Sequence, residues 1–273
     1  MKPLANGRRK EAVDWRDRGL QYGDGLFETM RIRRRRVRLL DYHLDRLMEG
    51  CGRLALQPPD RAELRSEIAN AASGRRDGIL KLLLTRGTGS RGYRPTGRER
   101  ITRILSRHPL PHAVLLGASA ARVRLCATPM SVNSRLAGLK TLNRLDSVLA
   151  RSEWRDERIW EGLMGDGDGN WVCGTMSNLF LKHGATLLTP SLDRCGVAGV
   201  MRRWVLENAG AVDLRVTVRR VRWEDLKSAE EVFMSNAVIG IRSVRAIERG
   251  RRGPLRFSAT DTAASLRSLL ERE

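Results

Sequence analysis

No run of about 18 apolar residues occurs in the chain, so no helix of membrane-spanning length is encoded. The opening residues, Met1-Lys2-Pro3-Leu4-Ala5-Asn6-Gly7, hold no apolar core of a secretory signal, and a cytoplasmic location is expected. Cysteine and histidine are both scarce, four of each among 273 residues. Cys51, Cys126, Cys173 and Cys195 lie far apart with no C-x-x-C spacing. The histidines are equally dispersed, so no metal site is expected. Each cysteine reads first as a small, reduced, buried residue. Internal repeats and low-complexity tracts are absent, which leaves ordinary globular domains. The length allows two modest domains or one large one, and a hydrophobic share of 41% is enough for a core.

Arginine, by contrast, is abundant, and the formal net charge is +20. A basic excess of this size is one mark of a nucleic-acid-binding protein. The densest run, Arg31 to Arg38, holds six arginines in eight positions. It falls where two alternating strands should turn, and no aromatic residue interleaves there to stack on bases. A solvated hairpin tip is the simpler reading, and nucleic acid is not the expected partner. A positive field also draws in anionic small molecules, and such a substrate is the partner we expect.

In chain order, the glycine-punctuated stretch Gly19–Gly25 reads as a loop. Leu26–Ile32 reads as a strand, Arg33–Arg36 as a turn and Val37–Leu40 as the returning strand. Asp41 is the expected cap of a helix on which Leu44, Leu47, Met48 and Cys51 recur at helical spacing. Arg46 lies off that stripe; it is either a solvated helix arginine or a phosphate ligand. A second helix is expected over about 60–73, then a buried strand, Ile79–Thr85. Arg86 to Pro95 contains G-x-G-x-x-G after that strand, but Tyr93-Arg94-Pro95 is a poor helix start, so a substrate loop suits it better than a dinucleotide loop. Strand Ile101–Leu105 and the proline-stiffened linker His108–His112 close the first half. We place the domain boundary there, giving 1–110 and 111–273.

The second half shows a strand at Val123–Ala127, a helix from about Leu145 to Trp154 and a strand at Ile159–Met164. A hairpin follows, Leu179–Lys182 against Thr186–Thr189. Gly196 to Arg202 leads into a helix whose first N–H groups could seat an anion. A strand at Glu231–Met234 and a last helix over roughly 260–270 complete the pattern.

Between Leu139 and Leu142 stands Lys140. Apolar surroundings disfavour an ammonium, lower its pKa and make a free amine available for Schiff-base chemistry. A lone lysine between leucines is also an ordinary snorkelling side chain. The surrounding stretches weigh the choice. Asp17-Arg18-Gly19 through Thr29, His43-Leu44-Asp45-Arg46-Leu47, Lys140-Thr141-Leu142-Asn143, Gly174 to Phe180 and Gly196 to Arg202 occur in this order. Together they resemble the fold-type IV pyridoxal-phosphate enzymes, which include branched-chain and D-amino-acid aminotransferases and aminodeoxychorismate lyases.

The resemblance implies an α/β (α+β) fold in two domains, like D-amino-acid aminotransferases, and a homodimer with pyridoxal 5'-phosphate as cofactor. Leu136 to Leu145, the loop Arg86 to Tyr93, and Met234-Ser235-Asn236-Ala237 look most like the lyases. The implied reaction takes 4-amino-4-deoxychorismate to 4-aminobenzoate and pyruvate, in folate biosynthesis. Lys140 then carries the cofactor and acts as the base. Arg46 and the backbone of Val200 and Met201 hold its phosphate, with Ser235 and Asn236 nearby. Ser177 and Asn178 are carried over as cofactor contacts. Arg91, Tyr93 and Ala237 are carried over as substrate contacts.

One position departs from the family. A glutamate normally precedes the Gly-Thr-Met-Ser-Asn stretch and bonds the cofactor's ring nitrogen; here the residue is Cys173. A thiol is a poor proton donor to that nitrogen and weakens the electron sink. Four readings stay open: the match slips by a residue, though Val172 and Asn170 offer no carboxylate either; another acid such as Glu161 substitutes; the reaction tolerates a weaker sink because its product becomes aromatic; or the chain is a weakly active or inactive homologue. Transamination lacks the aromatic drive, so an aminotransferase is the alternative that Cys173 disfavours.

Overall fold

In a strand, every second residue faces the same way, and the first sheet follows that rule closely. The computed structural model describes residues 3–9, 12–74, 76–111 and 119–272. The chain divides into two units, Met1–Leu115 with Leu139–Asn143, and Leu116–Gly138 with Arg144–Glu273. The segment bearing Lys140 therefore groups with the first unit, which a single cut after residue 110 does not describe. Of the expected linker, only His112 lies outside the described residues.

In the first unit, β1 (Leu4–Ala5), β2 (Arg8–Arg9), β3 (Gly25–Arg33), β4 (Arg36–Val37), β5 (Gly78–Thr85) and β6 (Thr102–His108) form one antiparallel sheet. Their order is β2-β1-β6-β5-β3-β4. Leu26, Met30 and Ile32 of β3 share a core with Leu80, Leu82 and Leu84 of β5. Helices α1 (Arg18–Tyr22), α2 (Leu40–Arg53) and α3 (Arg61–Ser73) belong to this unit. Leu44, Leu47 and Cys51 of α2 and Leu64 and Ile68 of α3 join the same core. Each such leucine contributes about 1.5–3 kcal/mol by leaving water.

Three local details differ from the sequence reading. The β3–β4 turn is tighter than Arg33–Arg36: only Arg34 and Arg35 turn, at φ 48° and 66°, between paired Arg33 and Arg36. A two-residue hairpin of this twist needs positive φ at both central positions. Asp41 is not the cap of α2. Leu39, at φ 55°, takes that place with no side-chain bond, and Asp41 lies in the first turn. There the helix's positive end favours a carboxylate, and Arg61 and Arg65 reach it. Within the expected glycine loop, Asp17 accepts from Gly19 N and starts α1, and Gly23 at φ 66° ends it.

The second unit holds β7 (Ala121–Leu125), β8 (Ile159–Gly165), β9 (Trp171–Gly174), β10 (Asn178–His183), β11 (Thr186–Pro190), β12 (Arg215–Arg219), β13 (Glu231–Asn236), β14 (Gly240–Glu248) and β15 (Leu255–Arg256). Six of them run β10-β13-β14-β7-β8-β9, and β9 pairs back onto β10 at Cys173 and Asn178 to close a ring. Val123, Leu163, Leu179, Leu181, Val232, Met234, Val244 and Ile247 fill one core cluster. Phe180 and Phe233, partners across β10 and β13, stack with centroids 4.9 Å apart. Helices α4 (Leu145–Ser152), α5 (Val200–Asn208), α6 (Trp223–Ser228) and α7 (Asp261–Arg272) complete this unit. Both units mix sheet and helix, as expected for an α/β (α+β) chain. No described helix is long and apolar enough to cross a membrane.

Candidate active site

In the first unit the segment Leu139–Asn143 lies antiparallel along the start of β3. Phe27 N donates to Lys140 O at 3.0 Å, Leu142 N donates to Gly25 O at 3.0 Å, and Leu26 bridges Thr141. Leu139 and Thr141 are buried and Lys140 is half-buried. Its Nζ stands 4.2 Å from the centroid of the Phe27 ring, so the side chain is held against β3 rather than extended over an apolar surface. Asn143 Nδ2 donates to Gly23 O at 3.2 Å, and a Cβ on Gly23 would sit 2.4 Å from Asn143 Oδ1. That glycine is required both by its positive φ and by the close approach of this segment.

Arg46 is not a solvated helix arginine. Its side chain is 12% exposed and forks onto Glu28, with Nε donating to Oε1 at 2.8 Å and Nη2 to Oε2. His43 Nδ1 lies 2.6 Å from the same Oε2. Burial alone would push the Glu28 carboxyl up; Arg46 and His43 outweigh it and hold Glu28 at about 2. Burial pushes His43 below its ordinary value despite the pull of Glu28. His43 Nε2 is buried without a hydrogen-bond partner among the described residues. Glu28 is not among the site residues expected from the sequence. The signal was present: Leu26, Glu28, Met30 and Ile32 occupy one face of an alternating strand, and a carboxylate in that row breaks the pattern.

Arg91 and Tyr93 stand exposed on the loop after β5, Tyr93 at 84%. No helix begins there, in keeping with the rejection of a dinucleotide loop. The loop is braced from below. Arg18, almost wholly buried, donates to Gly92 O at 2.9 Å and to Tyr93 O at 2.8 Å. Its Nε meets Asp24 at 2.9 Å, and Arg86 grips the same carboxylate at 2.8 Å.

In the second unit Glu161 is buried, and both its oxygens are committed to the turn after β9. Gly162 N, Thr175 N and Thr175 Oγ1 donate to Oε1 at 2.9, 3.1 and 2.6 Å. Met176 N and Ser177 Oγ donate to Oε2 at 3.2 and 2.7 Å. Burial pushes its pKa up, against these donors. Glu161 is thus a turn organiser, and this geometry overturns the suggestion that it substitutes for the missing ring-nitrogen acid. The Ser177 hydroxyl is likewise engaged in holding the turn. A Cβ on Gly174 would sit 2.7 Å from the Glu161 carboxyl carbon, so the turn requires glycine there.

Cys173 is buried, with Sγ 3.3 Å from Met130 Sδ. The charge of nearby Arg144 couples to it, and burial pushes Arg144 below its ordinary value. The surroundings that these contacts describe are sulfur and guanidinium. Across the strand pair, Asn178 faces Cys173 on one side and Ser235 on the other. Asn178 Nδ2 donates to Val197 O at 2.9 Å, which ties β10 to the loop that opens α5. Gly199 begins that helix with no side-chain cap, and a Cβ on it would sit 2.1 Å from Asn178 Oδ1. Val200 and Met201 bury their side chains and leave only backbone N–H groups to offer. Ser235 Oγ is buried with no partner among the described residues. Asn236 Oδ1 accepts from Val238 N at 3.0 Å and Ile239 N at 2.8 Å, so it caps a turn; Ala237 follows it, half-buried. Asn178, Ser235 and the start of α5 therefore come together, and Asn236 serves the backbone.

A profile of the class IV amino-transferase family matches residues 25–247. An aminodeoxychorismate lyase of Vibrio harveyi is 32% identical over 244 residues, 89% of this chain and 90% of that protein. A D-alanine aminotransferase of Bacillus licheniformis is 28% identical over 272 residues, 93% of each. Among solved structures, 4-amino-4-deoxychorismate lyase from Pseudomonas aeruginosa superposes with a TM-score of 0.91 at 42% identity, covering 99% of this chain and 98% of that one.

Proposed function

This chain belongs to the class IV aminotransferase family, and on that premise we propose that it is an aminodeoxychorismate lyase that uses pyridoxal phosphate. It converts 4-amino-4-deoxychorismate to 4-aminobenzoate and pyruvate, a step of folate biosynthesis. The observation that carries this reading is the likeness to the Pseudomonas aeruginosa lyase, 42% identical with 99% of this chain covered.

The residues present fit the cofactor. A buried Ser235 hydroxyl without a partner among the described residues, an uncapped helix start and a Gly199 with no room for a side chain suit a phosphate. In this reading those groups and Arg46 hold the phosphate, Asn178 and Ser177 shape the seat, and Lys140 supplies the amine. Bound there, pyridoxal phosphate supplies an electron sink to the substrate carbon that loses its proton. With that group held there, the Lys140 amine would remove the substrate's ring C4 proton. The C–O bond to the enolpyruvyl group breaks, its electron pair leaves on oxygen, and the ring becomes aromatic. Lys140 returns a proton to the departing enolpyruvate, which becomes pyruvate. Arg91 and Tyr93 are proposed to meet the carboxylated substrate. Residues 111–273, which include Lys140, are the proposed cofactor-bearing domain, the assembly a homodimer and the location the cytoplasm.

A second reading is an aminotransferase, favoured by the D-alanine aminotransferase relative and disfavoured by Cys173. One experiment separates the two. Supplied with aminodeoxychorismate, the protein is expected to release 4-aminobenzoate; incubated with an amino acid and 2-oxoglutarate, it is expected to form little new amino acid. The reverse outcome overturns the lyase reading.

A further inference from the structure

Arg18 is 3% exposed, and a buried guanidinium is costly unless its donors are used. Its donors are used, and they face two ways. Nε donates to Asp24 at 2.9 Å, while Nη1 and Nη2 donate to Gly92 O and Tyr93 O at 2.9 and 2.8 Å. Burial would raise the Asp24 carboxyl; Arg86 and Arg18 outweigh it and hold it below its ordinary value. Arg86 in turn donates to Leu54 O and Ala55 O, each at 2.8 Å, where α2 ends. The Arg18 guanidinium also lies 4.9 Å from the centre of the Tyr22 ring, and that ring meets Tyr93 edge to face at 5.4 Å. Contacts thus run from the end of α2 through Arg86, Asp24 and Arg18 to the tip of the loop, all inside the first unit.

The tip has no core of its own. Ser90 to Arg94 are all exposed. A segment without buried apolar contacts opens at little cost unless polar bonds hold it. The loop is shaped to the brace: a Cβ on Gly89 would sit 2.9 Å from Arg18 Cδ. The two carbonyls that Arg18 holds belong to the residue after Arg91 and to Tyr93 itself. A loop ordered before its ligand arrives loses less entropy on binding.

We propose that Arg18 is a positioning residue for the substrate: it holds the Gly92 and Tyr93 carbonyls so that Arg91 and Tyr93 are set in place, with Tyr22 seating the Tyr93 ring. This rests on the reading that Arg91 and Tyr93 meet the carboxylated substrate. It goes further in giving the order of that exposed loop to one buried cation on α1.

The test uses the full cofactor-loaded chain and two readouts. The first is tryptic cutting of the native protein at the exposed Arg91–Gly92 bond. Arg18→Gln is expected to speed that cut about tenfold or more, the loss of charge-assisted hydrogen bonds to the loop. The second is release of 4-aminobenzoate from aminodeoxychorismate. Arg18→Gln should raise KM about tenfold and leave kcat within about twofold. In a chain already carrying Arg91→Ala and Tyr93→Ala, the same change should add almost nothing to KM, because it acts through those two side chains. Arg18→Lys keeps the charge at Asp24 but cannot fork onto both carbonyls. It should show the same pattern, and it decides the matter if Arg18→Gln does not fold. An unchanged cut overturns the proposal, as does a loss that falls on kcat alone or adds in full to the loss from Arg91→Ala and Tyr93→Ala. If the unaltered protein releases no 4-aminobenzoate, the lyase reading fails by itself. A faster cut then still assigns the loop's order to Arg18, and an unchanged cut overturns that too.

Discussion

Each unit buries one carboxylate near its proposed site, and the two are handled in opposite ways. Glu28 is matched by a cation, Arg46, and held down at about 2. Glu161 is matched by hydroxyls and backbone N–H groups alone, and burial pushes it up. Cationic company makes a buried carboxylate a fixed charge that orients its partner. Neutral donors make it a hub that shapes backbone. The same side chain thus pairs with an arginine in one unit and folds the Gly174–Ser177 turn in the other.

The sharpest way to break this contrast is to remove the charge at each position and measure stability in denaturant. Glu28→Gln leaves the Arg46 cation without its buried counterion and should cost about 3–5 kcal/mol. The pH profile gives the next effect. Glu28 has a folded value below its unfolded one, so its contribution is present above about 4.5 and lost as pH falls toward about 2. From that shift it is on the order of 3 kcal/mol. Glu161 has the opposite sign: its contribution is complete below its unfolded value and declines as pH rises through its raised folded value. Glu28→Gln should flatten the acid limb of the stability curve, whereas Glu161→Gln should leave that limb in place. Equal acid limbs in both variants would show the two carboxylates to be alike.

Glu161→Gln should cost less than Glu28→Gln, about 1–3 kcal/mol, because an amide keeps one acceptor for the turn and turns two donors against the donors facing the other. A third carboxylate sharpens the comparison further. Cys173→Glu places one beside Arg144 and Met130, and by family resemblance beside the cofactor ring. It should alter the absorption of the bound cofactor and raise the lyase rate about tenfold, the worth of one charge-assisted bond. An unchanged spectrum and rate would mean that residue 173 does not face the ring.

Much of this was legible where a rule of spacing applies. The alternation in β3, the apolar stripe of α2 and the buried run of β5 each follow from one short window. Helix α1 was not legible, because five residues among glycines give no periodicity. Nor was β14, where Arg242 and Arg245 interrupt the apolar row. Asp41 misled because a local capping preference cannot see Leu39 adopting a left-handed conformation. Of the site, Lys140 and Arg46 were found by resemblance to a family, since no spacing rule encodes the pairing of Leu139–Asn143 with β3. Glu28 and Glu161 had local signals, acids inside buried strands. Their roles depend on partners about 15 residues away in sequence, which only the folded chain brings close.

The most direct test of the account is to treat the cofactor-loaded protein with borohydride, digest it, and find which residue carries the reduced pyridoxyl phosphate. The account predicts a single modified peptide, the one containing Lys140. Modification of another lysine, or a protein that takes up no cofactor at all, would contradict it.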